Sequence, residues 1–186
     1  MMAIDELDVV VSNTGPLISA FQSDSFDVIA ALLGTLHTTE TCRAELIRHG
    51  WQPKIDRADA ALVVNSLTAD EAAQAATLAQ RIANQPVSKD RDPISHLGEA
   101  EAIVLAQRSD FSDTAILLDE AAARSVATEV GLIISGFAGV LLVAVERGLI
   151  SAGDLKTRLE LCRQQGTHYS SSLIEQVYQA AQEIRK

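Results

Sequence analysis

The first apolar run of the chain, DVVVS at 8–12, is short and unbroken and stops at Asn13-Thr14-Gly15-Pro16. A β-branched run closed by turn residues predicts a buried strand. Pro16 suits the first position of a helix, and Leu17, Ile18 and Phe21 give that helix an apolar face. A second helix is predicted over 26–33 with Gly34 as its C-cap. A short strand over 35–38 follows, then a helix opened by Thr39-Glu40-Thr41 that runs through Arg48 and ends at Gly50. Val63-Val64 predicts a weak third strand. Thr68 and Glu71 have capping-box spacing, and the Ala-rich helix behind them runs to about Asn84. Residues 85–97, with two prolines and four charges, read as a loop. The rest predicts a helix over 98–107, a strand over 115–118, a helix over 119–130 closed by Gly131 and a strand over 132–134. Three helices follow, at 137–147, about 151–165 and about 170–185.

Strands therefore alternate with helices, and the strands are apolar throughout rather than at every second position. That pattern predicts an α/β fold with a central parallel sheet covered on both faces, whose ligands sit at the carboxyl ends of the strands. A chain of 186 residues is a prior for one domain over 1–186. Within it, 68–97 holds an Ala-rich helix and a Pro-broken loop, and 151–186 reads as C-terminal helices.

Composition narrows the functional classes. Hydrophobic residues make up 47% and aromatics 4%, so the core is built from Ala, Val, Ile and Leu. Two cysteines, Cys42 and Cys162, are too few for a disulfide scaffold, and the acidic start MMAIDELD lacks the basic region of a signal peptide. A cytoplasmic protein is the expectation. The longest uncharged apolar stretch, 130–145, has 16 residues, three of them Gly, and falls short of the roughly 20 that span a bilayer. The net charge of −10 excludes a nucleic-acid binder that works by bulk positive charge. It is uneven: residues 1–146 carry 21 acids and 9 bases, whereas residues 147–186 carry 4 acids and 6 bases.

Four places put polar groups at predicted strand ends or on the helices that follow: Asn13, Glu45, Glu99 with Glu101, and Asp119 with Glu120. Three of the four supply carboxylates to one rim. Converging carboxylates repel one another, so a fold gathers them mainly to bind a hard cation such as Mg²⁺ or Mn²⁺. Each residue also has an ordinary reading. Asn13-Thr14-Gly15-Pro16 makes a good turn and N-cap, Glu45 a solvated helix residue, Glu99 and Glu120 first-turn acids, and Asp119 an N-cap. His37, His49, His96 and His168 show no metal-ligand spacing. Tyr169, Tyr178 and Trp51 are too scattered to suggest base stacking. Gly136-Phe137-Ala138-Gly139 lacks phosphate-loop spacing and reads as close helix–sheet packing, and 140–145 as core or core with a homodimer surface.

Five segments in order, VVVSNTGPLI, ETCRAELI, LGEAEAIVLA, ILLDEAAARSVA and GLIISGFAGVLLVAVERGLI, resemble the PIN-domain superfamily. The resemblance is nearest to its branch of small prokaryotic proteins related to toxin–antitoxin ribonucleases, and it covers about 9–175. Against a minimal member of that family, 68–97 reads as an insertion that shapes access or a dimer contact. It implies a three-layer α/β/α sandwich and Mg²⁺- or Mn²⁺-dependent hydrolysis of phosphodiesters, usually RNA. The family's first acid falls on Asn13 and the second on Glu45. The third falls on Glu99, with Glu101 as fallback; on a helix the two project about 200° apart. The fourth falls on Asp119 or Glu120. Glu45, Glu99 and Asp119 or Glu120 are then the expected metal ligands. Asn13 and Thr14 would orient water or phosphate, and Arg124 would touch a phosphate or pair with an acid. Asn13 departs from the pattern: an amide can offer an oxygen to a metal but brings no charge.

Two functions follow from the resemblance. One is a ribonuclease, the toxin of a toxin–antitoxin pair with an antitoxin protein as partner. The alternative is a weakened PIN-like module that binds nucleic acid or a protein without cleavage. A phosphatase or receiver domain would need an Asp where Asn13 stands. A dinucleotide-binding enzyme would need a glycine fingerprint that is absent.

Overall fold

The computed structural model describes residues 9–111 and 114–184. Five parallel strands form one sheet: β1 (Val9–Ser12), β2 (Thr35–Thr39), β3 (Leu62–Asn65), β4 (Ala115–Leu117) and β5 (Ile133–Ser135), in the order β3-β2-β1-β4-β5. Asp8, included in the predicted first strand, and Arg185, in the predicted last helix, lie outside the described residues. Among the described residues there are ten α-helices: α1 (Thr14–Gln22), α2 (Phe26–Leu33), α3 (Glu40–Arg48), α4 (Gln52–Ala58), α5 (Ala69–Ala83), α6 (Leu97–Ala106), α7 (Ala121–Glu129), α8 (Phe137–Glu146), α9 (Ala152–Gln164) and α10 (Ser171–Glu183).

Successive strand side chains point to opposite faces, so a strand buried on both sides feeds two cores. Val10 and Leu117 pack with α1, α2, α8, α9 and α10; Val11, Ile116 and Leu118 pack with α5, α6 and α7. The result is an α/β/α sandwich, as the apolar strands predicted. The Ala-rich α5 belongs to the second core, with Ala75, Ala79, Ile82 and Ala83 buried beneath it. Its capping box is formed as spaced, Thr68 accepting from the Glu71 amide and Glu71 from the Thr68 amide.

One helix was not anticipated and two local expectations are corrected. α4 lacks a clear apolar stripe, and only Ala58 of it is buried. Pro16 is the third residue of α1, not the first; its missing N–H is still among those a first turn leaves unpaired. The helix expected from Asp119 begins at Ala121, because Glu120 is its N-cap, with its carboxylate accepting from the Ala123 amide at 2.6 Å.

The chain builds β1, β2 and β3 outward in one direction, then crosses back to lay β4 on the other side of β1. Connections on the two sides of this reversal leave a crevice at the carboxyl ends of β1 and β4. Asn13 directly follows β1 there, and its amide donates to the Leu117 carbonyl of β4 at 3.2 Å.

Candidate active-site cleft

A cleft of about 880 Å³ opens at this crevice. Asn13, Gly15, Glu99, Asp119, Glu120 and Arg124 line its acidic end. Val87, Ile134, Leu173 and Val177 give it apolar walls, and Lys89, His96 and His168 also border it. Five of the expected residues, Asn13 after β1, Glu99 on α6, Asp119 and Glu120 between β4 and α7, and Arg124 on α7, are thus brought to one cavity, whereas Thr14 and Glu45 do not line it.

Asn13 sits at the N-cap position of α1, but its side chain does not cap. Its Nδ2 donates to Glu99 Oε1 at 3.3 Å, and its Oδ1 is buried with no partner. A buried unpaired amide oxygen costs about 1–3 kcal/mol, so it calls for a reason. Thr14 turns the other way and donates its hydroxyl to Glu45 Oε2 on α3. Adjacent residues of one turn therefore hold two acids from different helices. Gly98 makes room for Glu45: a Cβ there would lie 3.2 Å from Oε2 and 3.4 Å from Oε1. Desolvation lifts the Glu99 carboxyl above its ordinary range, and the charges of Glu45 and Glu120 push it the same way, against pulls from the helix amide and His96. Glu101, the fallback, projects elsewhere and accepts from the Thr41 hydroxyl at 2.8 Å.

The two acids after β4 have different surroundings. Glu120 caps its own helix and is felt by Glu99. Asp119 caps a different helix: its Oδ1 accepts from the Phe137 amide at the start of α8, and its Oδ2 from the Tyr169 hydroxyl, each at 3.0 Å. Burial pushes the Asp119 carboxyl up, while these two donors and the Arg124 charge draw it back. Arg124 Nη1 donates to the Leu118 carbonyl at 2.8 Å, one residue before Asp119. Gly136 is a packing glycine, as expected, but what it admits is the acid: a Cβ there would lie 2.6 Å from Asp119 Oδ1.

Several participants were not legible as such. His96 is buried, with Nε2 at 3.0 Å from the Asp90 carbonyl and 3.3 Å from Ser88 Oγ. Its place three residues before Glu99, one helical turn, was the available signal. Tyr169 had none, since it meets Asp119 only through the docking of the C-terminal helices. Cys42 and Cys162 are fully buried, as packing residues should be. Among the described residues, no three His, Cys, Asp or Glu side chains stand close enough together to hold a metal ion. No described helix is long and apolar enough to cross a membrane.

Comparison with known proteins adds one finding. Searches of curated proteins and of solved structures returned no match. A family model described as a PIN domain matches residues 9–183. That match takes in every strand and helix of the sandwich, and on it the chain belongs to the PIN-domain family.

Proposed function

We propose that the protein is a divalent-metal-dependent phosphodiesterase acting on RNA, with its centre at the carboxyl ends of β1 and β4. The observation that carries this reading is the buried, unpartnered Asn13 Oδ1 beside Glu99 in the cleft. PIN domains form a nuclease-like fold and generally use divalent metal ions. The donors here are of the kind such an ion takes: a neutral amide oxygen with no other partner, and the Glu99 carboxylate, on which Glu45 and Glu120 place like charge. Asn13 and Glu99 would hold it, and Glu45 and Glu120, whose charges act on Glu99 but which form no three-acid group with it as the side chains stand, would close on the ion only once it is bound. Glu120 is chosen over Asp119 because its charge reaches Glu99, while both Asp119 oxygens are engaged elsewhere. When bound, Mg²⁺ or Mn²⁺ polarises the scissile phosphate and lowers the pKa of the attacking water.

The chain's own groups do the rest. Thr14 holds the Glu45 carboxylate in place through its hydroxyl. Arg124 and Lys89 on the cleft lining supply positive charge where a phosphodiester would otherwise meet only acids. Asn13 offers an oxygen but one charge fewer than an Asp would, which weakens the attraction for the ion. That same substitution, with the lack of a three-acid group among the described residues, favours the second reading: a module that binds nucleic acid or a protein partner without cutting. A toxin role with an antitoxin partner, cytoplasmic location and a homodimer belong to the first reading as its biological setting.

The test is cleavage of a mixed RNA substrate with and without Mn²⁺, comparing the native protein with Glu99→Gln and Asn13→Asp. Cleavage that requires Mn²⁺, disappears in Glu99→Gln and rises in Asn13→Asp is the expected result. Cleavage by Asn13→Asp alone would mean an intact scaffold with a disarmed centre. No cleavage by any of the three would favour the binding module.

A further inference from the structure

The Asp119 carboxylate is a junction of four parts of the chain. It follows β4, takes the first amide of α8, and accepts from Tyr169 in the loop between α9 and α10. Tyr169 Oη also lies 3.0 Å from Ser19 Oγ of α1, which is fully buried. A phenol has one proton. Having donated it to Asp119, Tyr169 accepts from Ser19, so the donors run Ser19 to Tyr169 to Asp119. The Tyr169 ring stacks on Phe137 at 6.4 Å between centroids and 15° between planes. The loop that this phenol anchors, with Thr167 and His168, lines the cleft, as do Leu173 and Val177 of α10.

We infer that Tyr169 is a positioning residue: it ties the α9–α10 loop to Asp119 and so fixes the cleft wall against which the substrate strand lies, and Asp119 serves this tie rather than holding a metal ion. The inference rests on the cleft being the nucleic-acid site. It separates the two acids after β4 by what holds them. Glu120 caps its own helix and lies near enough for its charge to act on Glu99, while Asp119 belongs to the wall. A carboxylate that must bind a cation needs its charge. One that only joins an amide above it to a phenol beside it needs two hydrogen bonds, and an amide side chain can make both. In Asp119→Asn the side-chain oxygen accepts from the Phe137 N–H and the NH₂ donates to the phenol oxygen, whose own proton then goes to Ser19 Oγ, reversing that bond.

The experiment measures KM and kcat for Mn²⁺-dependent RNA cleavage, calorimetric Mn²⁺ affinity, and amide exchange over 166–177. It does so for the native protein, Tyr169→Phe, Asp119→Asn, Asp119→Ala and Glu99→Gln. Tyr169→Phe keeps the ring stack and removes only the hydroxyl. It is expected to raise KM about 5–10-fold, the worth of about one hydrogen bond, with kcat within about twofold and faster exchange over 166–177. Asp119→Ala should share that phenotype, and Asp119→Asn should return KM to near the native value. Mn²⁺ affinity should stay native in all three and fall about tenfold or more in Glu99→Gln, which loses a charged ligand. The inference is overturned if Asp119→Asn loses Mn²⁺ affinity as Glu99→Gln does, or if Tyr169→Phe shifts the melting temperature but not KM. A native protein that neither binds nor cuts RNA overturns it together with the proposed function. An active native protein whose Tyr169→Phe variant has native KM overturns it alone.

Discussion

Gly136→Ala offers a sharp test of how the site is packed, because the folded backbone there is not strained by a side chain. Gly136 has φ −118° and ψ 170°, a conformation any residue adopts. In the folded state only the new methyl matters. It would lie 2.6 Å from Asp119 Oδ1, 3.3 Å from an Arg124 guanidinium nitrogen and 3.5 Å from the Leu118 carbonyl. The first contact is too short to persist, and Asp119 cannot swing aside freely because Phe137 and Tyr169 hold both of its oxygens. Displacing it forfeits hydrogen bonds to a charged group, worth about 1.5–3 kcal/mol, against about 0.4–1 kcal/mol gained by restricting the unfolded chain. The net expectation is a loss of about 2 kcal/mol, or roughly 4–8 °C in Tm for a chain of this size. Gly15→Ala is the control on the other side of the same acid. Its Cβ would meet nothing nearer than Asn13 Oδ1 at 3.8 Å and Asp119 Cβ at 3.9 Å, and it lies in α1. That variant should be neutral or up to about 1 kcal/mol more stable. Urea unfolding followed by circular dichroism at neutral pH measures both. If Gly136→Ala lies within about 0.5 kcal/mol of the native protein, Asp119 is not clamped as described.

Three further outcomes are expected. Glu71 is joined to Arg108 by two hydrogen bonds of 2.8 Å, and these with the Thr68 amide hold its carboxyl at about 2. A depressed folded value gives stability that is present above the unfolded value and lost as pH falls from about 4.5 toward 2, so Glu71→Gln should flatten this acid limb and lower neutral-pH stability by about 1 kcal/mol. Arg158 Nη1 reaches the Ser23 and Asp24 carbonyls and Ser25 Oγ, each at 2.9 Å, and Arg158→Ala removes these charge-assisted bonds while the buried Ser25 hydroxyl keeps Ser23 as its partner. A loss of about 1–3 kcal/mol follows, and no change in the urea midpoint would show that water replaces the guanidinium. Phe137 is fully buried between the sheet and Tyr169, so Phe137→Ala should cost about 3–5 kcal/mol in the same unfolding assay; a loss below about 1 kcal/mol would mean that the α8 start repacks.

Local chemistry was legible where a single element carried it. The capping box at Thr68 and Glu71, the positive φ of Gly34 at the end of α2 and the buried run of β1 each depend on a few neighbouring residues. Helical geometry said only that Glu99 and Glu101 cannot both face one site; that Glu99 is the one came from the family resemblance, and the structure turns Glu99 to Asn13 and Glu101 to Thr41. What a carboxylate holds was not legible in the same way. Asp119 and Glu120 are adjacent, both acidic and both suited to a helix start, yet one caps α7 and the other caps α8 and binds Tyr169. Glu120 bonds within its own turn, but the role of Asp119 depends on partners 18 and 50 positions away, and no local pattern encodes those distances.

The same division runs through the whole molecule. Hydrophobic runs, turns and caps are short-range effects, and they settle which segments become strands and helices and that the strands are buried on both faces. The order β3-β2-β1-β4-β5 depends on how those faces pack, and it alone opens a crevice beside Asn13. Asn13 was identifiable as the odd residue of an acidic set. That its Nδ2 would meet Glu99 while its Oδ1 stayed buried and unpaired followed from bringing β1 against α6, 86 positions apart in the chain. Desolvation and charge repulsion act through space, so they become definite only when folding has placed the groups side by side.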